Sequence, residues 1–232
     1  MTKRFYKDAA AAEIDGGYCV QLDGKSVKTP QGSLLVMKSE ALADAVAEEW
    51  NAQGDEINPK TMALTPLVGT AIDRVPGVRD DLIEGLLRYG DTDLLCYRAT
   101  HPEDLTQRQA QMWQPLLDWA ADELGARLTP TEGIVPISQS AEARAAFKAV
   151  LDDCDDWTLT ALGELVGISG SLVLGLALVR GHINVSQALA VCHVDEDHQN
   201  ETWGLDHEAK HRRENVAKDI TAAYRFFELL KL

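Results

Sequence analysis

The chain has 232 residues, of which 45% are hydrophobic and 25% charged, the usage of a globular protein able to bury a core rather than of a disordered or fibrous one. Thirty-seven Asp and Glu against 22 Lys and Arg give a formal charge of −15, a field that repels nucleic-acid phosphates and anionic lipid surfaces. Nucleic acid and membrane insertion are therefore disfavoured, and the most apolar stretch, from Val166 to Val179, is interrupted by Gly167, Ser169, Gly170, Ser171 and Gly175 well short of the roughly 20 residues that a spanning helix needs.

The segment from Met1 to Asp8 has positive charge but no apolar run or small-residue cleavage site, so neither a secretory signal nor a transit peptide is expected, and the chain is placed in a bacterial-type cytoplasm. Cys19, Cys96, Cys154 and Cys192 stand dozens of residues apart with no C-x-x-C pair, as reduced thiols do in that compartment. Tyr18–Leu22, Lys25–Thr29 and Leu34–Val36 are short β-prone runs, the first two separated by Asp23-Gly24, a dipeptide suited to a primed hairpin turn. An antiparallel meander is expected there. Ser39 then precedes Leu42, Val46, Ala47 and Trp50 at helical spacing, which predicts a capped amphipathic helix lying on the sheet.

A second helix is expected to start at Thr65-Pro66 and to end at Pro76-Gly77. Strand signals then fade, apart from Leu94–Tyr97 and Gly133–Ile137, and the remaining periods are helical: 80–89, 102–124, 141–151, 157–168, 171–179, 185–191 and 206–230. Pro115 predicts a kink or a fresh start inside the second of these. Asn184-x-x-Gln187 has the pattern of a capping box. Val216, Ile220, Ala223, Phe227 and Leu230 form one apolar stripe on the terminal helix, suited to docking on a bundle. The fold class is thus α+β: a small β-rich N-terminal domain with a packed helix, residues 1–76, followed by a mostly α-helical domain, residues 77–232.

No phosphate-binding glycine loop and no nucleophile elbow occurs. Gly163, Gly167, Gly170 and Gly175 lie among apolar residues, where small side chains let helices approach closely. His193, His198, His207 and His211 cluster with Glu196 and Glu208; the i, i+4 pair His207 and His211 shares a helix face, and a metal-dependent hydrolase is one reading of this segment. The bland reading is a solvated helix face, since Lys210, Arg212 and Arg213 alternate with Glu208 and Glu214. Cys96 has apolar neighbours that raise a thiol's pKa and leave it inert. Trp113 and Trp119 are expected in the core, whereas Trp203, in acidic surroundings, is either a half-buried packing residue or an exposed anchor.

Three long strings carry a resemblance: 22–32; 49–57 continuing through 62–65 to 70–75; and 91–98 with 113–119. Together with 157–162 and the element from Gln199 to Trp203-Gly204, they resemble the family of assembly chaperones of the F-type ATP synthase that hold the free α subunit. Ala63 departs from that pattern, where relatives often carry Pro. The resemblance implies a β-rich domain followed by a helical one, a protein client in the α subunit, and no catalysis or cofactor. Glu196, Gln199, Glu201, Trp203 and Asp206, with Trp50, are the expected partner-binding residues, an acidic rim around an aromatic anchor. The free protein is expected to be monomeric.

Overall fold

The computed structural model describes residues 2–133, 137–204 and 207–232. Two compact units are present, one formed by Met1–Arg79, Asp156–Ala161 and Ala222–Leu232, the other by Asp80–Asp155 and Leu162–Thr221. The stretch expected as the first domain, 1–76, lies within the first unit, which also recruits two later segments.

In the first unit the strands are β1 (Thr2–Lys3), β2 (Ala9–Ile14), β3 (Gly17–Leu22), β4 (Lys25–Ser26), β5 (Val36–Met37) and β6 (Glu56–Ile57). β2, β4 and β5 all pair antiparallel with β3, and β1 pairs antiparallel with β6. The turn between β3 and β4 is made by Asp23 at φ 48° and Gly24 at φ 81°, the two positive values that a type I′ turn demands. Helix α1 (Glu40–Asn51) begins at Ser39, whose Oγ accepts the Leu42 amide at 3.1 Å. It buries Leu42, Ala43, Ala45, Val46 and Ala47 and packs on β2 and β3. Asn51 pins its other end to β2, accepting the Ala9 amide at 2.9 Å and donating to the Ala9 carbonyl at 2.6 Å.

Helix α2 spans Leu64–Asp73 and α3 spans Val75–Asp91. Pro76 and Gly77 do not separate them as expected; they fall in the first turn of α3, and helical geometry breaks instead at Val78 (φ −132°, ψ 20°). The C-terminal segment adds to this unit: Ser39 Oγ donates to the Leu229 carbonyl at 2.5 Å, and Phe226 stacks on Trp157 with ring centroids 6.0 Å apart.

The second unit contains β7 (Tyr97–Arg98), α4 (Glu103–Leu124), β8 (Thr131–Glu132) and α5 (Ala141–Asp152). It also takes in most of α6 (Asp156–Ser169), and α7 (Leu172–Val179), α8 (Val185–Cys192), α9 (Val194–Trp203) and the first part of α10 (His207–Leu229). β7 and β8 pair parallel; of the extended piece expected at 133–137, Gly133 is a turn (φ 72°) and Ile137 is in no strand, and residues 134–136 lie outside the described residues. Residue 206, the expected start of the last helix, is also outside them. Helix α4 continues through Pro115 as one element, so no fresh helix starts there. Trp113 is buried, and its indole N–H donates to the Val191 carbonyl at 3.0 Å, which removes the cost of an unpaired donor in the core. Helix α7 buries every residue from Leu172 to Leu178, as an element apolar on all faces must.

Two devices let α7 sit that deep. A Cβ on Gly175 would come within 2.7 Å of Val166 Cγ2, so α6 and α7 approach through that glycine. At the N-terminus of α7, the amides of Val173 and Leu174 donate to Asp93 Oδ2 and Ser171 Oγ, both at 3.0 Å. Gly170, by contrast, serves a turn at φ 71°, and nothing lies within 4 Å of a Cβ on Gly167; close packing explains Gly175, not every glycine in the run. The capping box at Asn184 and Gln187 is present.

Candidate functional site

The densest group of expected partner-binding residues stands on α9, a helix with no apolar stripe to announce it. Its first turn carries Asp195, Glu196 and Asp197, which favour the positive end of the helix dipole, and it stops at Gly204 (φ 87°). Side chains tie it down. Gln109 Nε2 of α4 donates to Asp195 at 2.7 Å, His198 Nε2 lies 3.0 Å from Asp104 Oδ2, and Arg108 forms a two-pronged bridge to Glu201 at 2.8 and 3.0 Å. From α10, Arg213 pairs with Asp197, and Arg212 Nε lies 3.8 Å from Glu196.

Glu196, Gln199 and Trp203 follow one another at spacings of three and four, so they share a helix face, and Glu201 falls on another. Gln199 is exposed, and Trp203 is 77% exposed at the end of α9. Of the two readings of Trp203, the structure supports an exposed ring. The acidic side chains are less free than their spacing suggests: Glu196 and Glu201 each face an arginine. Arg108, Arg212 and Arg213 organise this face; Arg212 and Arg213 read in the sequence only as part of a solvated helix face, and the pairing carried no signal, because pairing across helices has no fixed spacing. Asp206 lies outside the described residues.

The histidines do not form a metal centre. His193 is buried at the C-terminus of α8, where burial first and the Arg213 charge second hold its pKa below the usual value. His198 is engaged by Asp104, and the His207 and His211 rings pack edge to face at 4.4 Å. Among the described residues no three His, Cys, Asp or Glu side chains converge to hold a metal ion. The hydrolase reading has no ligand set to stand on. Cys96 and Cys192, pushed up to about 12 first by burial and then by the Asp93 charge, are not thiolate nucleophiles.

Trp50 belongs to the other unit. Its carbonyl accepts the Tyr6 hydroxyl at 2.7 Å, its ring meets the Tyr6 ring edge-on at 5.6 Å, and its buried indole N–H has no acceptor among the described residues. It lines two depressions, of about 580 and 360 Å³.

Comparisons with known proteins identify the family and the fold. Residues 3–121 match the family profile described as ATP12 chaperone protein. Protein atp12, mitochondrial, of Schizosaccharomyces pombe is 26% identical over 214 residues, covering 87% of this chain and 74% of that protein. Protein ATP12, mitochondrial, of Saccharomyces cerevisiae is 24% identical over 232 residues, covering 82% and 71%. The crystal structure of Atp12 from Paracoccus denitrificans superposes with a TM-score of 0.93 at 40% identity, covering 99% of this chain and 98% of that one. The Atu1473 protein of Agrobacterium tumefaciens gives 0.94 at 43% identity, covering 98% and 86%.

Proposed function

This chain belongs to the ATP12 chaperone protein family, a family of chaperones and not of enzymes, and from that premise we propose that it acts in assembly of the F-type ATP synthase by binding the unassembled α subunit. A free α subunit exposes the apolar surface that should meet its neighbours, and such surface drives aggregation. A protein that covers it reversibly, then yields to the larger subunit interface, needs no bond-making chemistry. The observation that carries this reading is the family match together with the exposed Trp203, presented on a helix fixed by Arg108, Arg212 and Arg213. A rigid aromatic anchor is what an interface hot spot requires.

Glu196, Gln199 and Glu201 supply the polar surroundings of that anchor, Asp206 is a further partner-binding residue named from the sequence, and Trp50 contributes from the N-terminal unit. The protein acts in the cytoplasm as a monomer when free. No helix among the described residues is long and apolar enough to cross a membrane. The deciding experiment mixes purified protein with the separately produced α subunit and follows light scattering and size-exclusion elution. Suppressed scattering and a stoichiometric complex are expected; undiminished scattering with no shared elution peak overturns the reading.

A further inference from the structure

Strand β2 is the outer strand of its sheet, paired with β3 along one side only. The bond from the Asp23 amide to the Asp8 carbonyl, at 3.0 Å, fixes the alternation along this register. Ala10, Ala12 and Ile14 exchange backbone bonds with β3, whereas Ala9, Ala11 and Glu13 turn their amides and carbonyls outward. Ala9 is answered from α1, where the Asn51 carboxamide accepts from its amide at 2.9 Å and donates to its carbonyl at 2.6 Å. Among the described residues the outward groups of Ala11 and Glu13 have no partner.

A carboxamide is the same chemical group as a peptide bond, and Asn51 grips Ala9 at two points as a residue of a neighbouring strand would. The edge is thus already set to pair with main chain, and its next two positions stand open at a repeat of about 6.6 Å. Proteins commonly blunt such an edge with Pro, Lys or a bulge; the strand from Ala9 to Ile14 has none of these, and its pairing with β3 runs unbroken. Charge and size define what fits. Past Glu13 the edge opens on a hollow of about 630 Å³ along the hairpin, whose charged lining residues are Glu13 and Asp15, with no cation among the described residues that line it. Opposite charges paired directly across strands stabilise a sheet, so the residue that suits Glu13 is basic. Beside half-buried Ala11, whose methyl fills little of the space between strands, a branched apolar side chain packs best. A second copy of this chain supplies neither: it sets alanines against alanines and brings a net charge of −15 on each side.

We propose that the free edge of β2 receives an extended segment of the protein client as an added antiparallel strand, with a basic residue opposite Glu13 and an apolar one opposite Ala11. Main-chain hydrogen bonds give such an addition its affinity and alternate side chains its specificity. In this pairing the basic residue precedes the apolar one by two positions, both side chains fall on the same face of the sheet as their partners, and Asn51 ends the added strand at Ala9. This rests on the chaperone reading and adds a client contact on the N-terminal unit, independent of Trp203.

The test uses the full chain and the capped hexapeptide Thr-Thr-Lys-Thr-Val-Thr, with amide hydrogen exchange resolved by NMR. Saturating peptide should slow exchange at Ala11 and Glu13 and leave Ala10 and Ala12, already bonded to β3, unchanged. N-methylation of the peptide's Lys and Val, which removes the two amides aimed at β2, should weaken binding about tenfold or more, and N-methylation of the Thr between them should cost far less. The peptide with Glu in place of Lys should bind about threefold more weakly. No slowing at Ala11 and Glu13 up to millimolar peptide, or equal binding by the methylated forms, overturns the added strand; equal binding of the Glu peptide overturns the basic residue. Slowing without peptide that grows with protein concentration gives the edge to a second copy and overturns the client as its occupant. Ala11→Pro, which removes an amide that β3 does not use, should protect the α subunit from aggregation less well than the parent chain at an unchanged circular-dichroism melt. Glu13→Lys, altered only at an exposed side chain, should do the same and keeps the assay decisive if proline disturbs the strand. Equal protection by Glu13→Lys and the parent chain overturns the edge as a client contact while the chaperone reading stands; no protection by the parent chain removes that reading and the edge's client with it.

Discussion

The carboxylate of Glu49, in the last turn of α1, accepts both the amide and the hydroxyl of Thr65, at 2.9 and 2.8 Å, and also the amide of Leu64 at 2.6 Å. Helix α2 is therefore capped by a residue of the preceding helix. Its own N-cap residue, Ala63, has no side chain that can serve. The hydroxyl of Thr65, where the helix was expected to start, donates to Glu49.

Glu49→Ala removes three acceptor contacts at once and leaves the first amides of α2 unsatisfied. Loss of a helix cap costs about 1–2 kcal/mol, so the midpoint of urea unfolding should fall with the slope unchanged. Glu49→Gln, which keeps one acceptor oxygen, should fall between the two. A Glu49→Ala midpoint equal to that of the parent chain would show that the cap contributes nothing.

Gly175→Ala should destabilise the protein although alanine is the better helix former. The added methyl meets Val166 Cγ2 at 2.7 Å, and overpacking of this kind costs about 1–3 kcal/mol against a propensity gain of about 1. Thermal unfolding reads the net loss. Val166→Ala in the same chain should recover part of it, a non-additivity expected of residues in contact.

Asp93 gives a pH dependence whose sign is opposite to that of a salt-bridged acid. Burial, first among its causes and opposed by hydrogen bonds from Ser171 and the amides of Val173, Leu95 and Leu172, raises its pKa from 3.8 to about 6. The folded state therefore holds this proton more tightly than the unfolded chain. The group's contribution is fully present below about pH 4 and is lost as pH rises to about 6, a difference of about 3 kcal/mol at 1.36 kcal/mol per unit. Urea unfolding between pH 4 and 7 should show this component in the parent chain and not in Asp93→Asn, whose stability at pH 7 is lower because its amide cannot accept from all of the same donors. An identical pH profile in the two proteins would remove Asp93 as the cause.

Trp203→Ala should leave the melting temperature within experimental scatter, since the ring is 77% exposed and surface substitutions change stability by about 0.5 kcal/mol or less. Protection of the α subunit from aggregation should weaken at the same time. Unfolding of the variant would instead show that the ring is a packing residue. Raising the salt concentration should slow complex formation by screening the acidic surface; an association rate independent of salt would rule out steering by it.

Local chemistry was legible wherever a few neighbouring residues decide the outcome. Asp23-Gly24 turns, Ser39 caps, and Asn184 with Gln187 closes a box, because each effect acts within about four residues. The terminal stripe was also readable, with Ile220, Ala223 and Phe227 buried. Its destination was not: Phe226 and Leu229 join the β-rich unit through Trp157 and Ser39, contacts no periodicity encodes. Helix α9 escaped notice because polar side-chain pairs, rather than an apolar face, hold it in place. Of the candidate site, the exposure of Trp203 was one of two open readings, and the arginine pairing of Glu196 and Glu201 was invisible for the same reason.

The composition of the first unit has a consequence for biosynthesis. Its strands emerge early from the ribosome, yet the Ser39 hydroxyl finds its acceptor at Leu229 and Trp157 finds Phe226 only once those residues have been made. At about 5–20 residues per second, this interval is on the order of ten seconds. For that time the nascent chaperone carries an unfinished sheet-and-helix assembly with open apolar ground of its own, and the unit is completed only when Phe226 and Leu229 reach it.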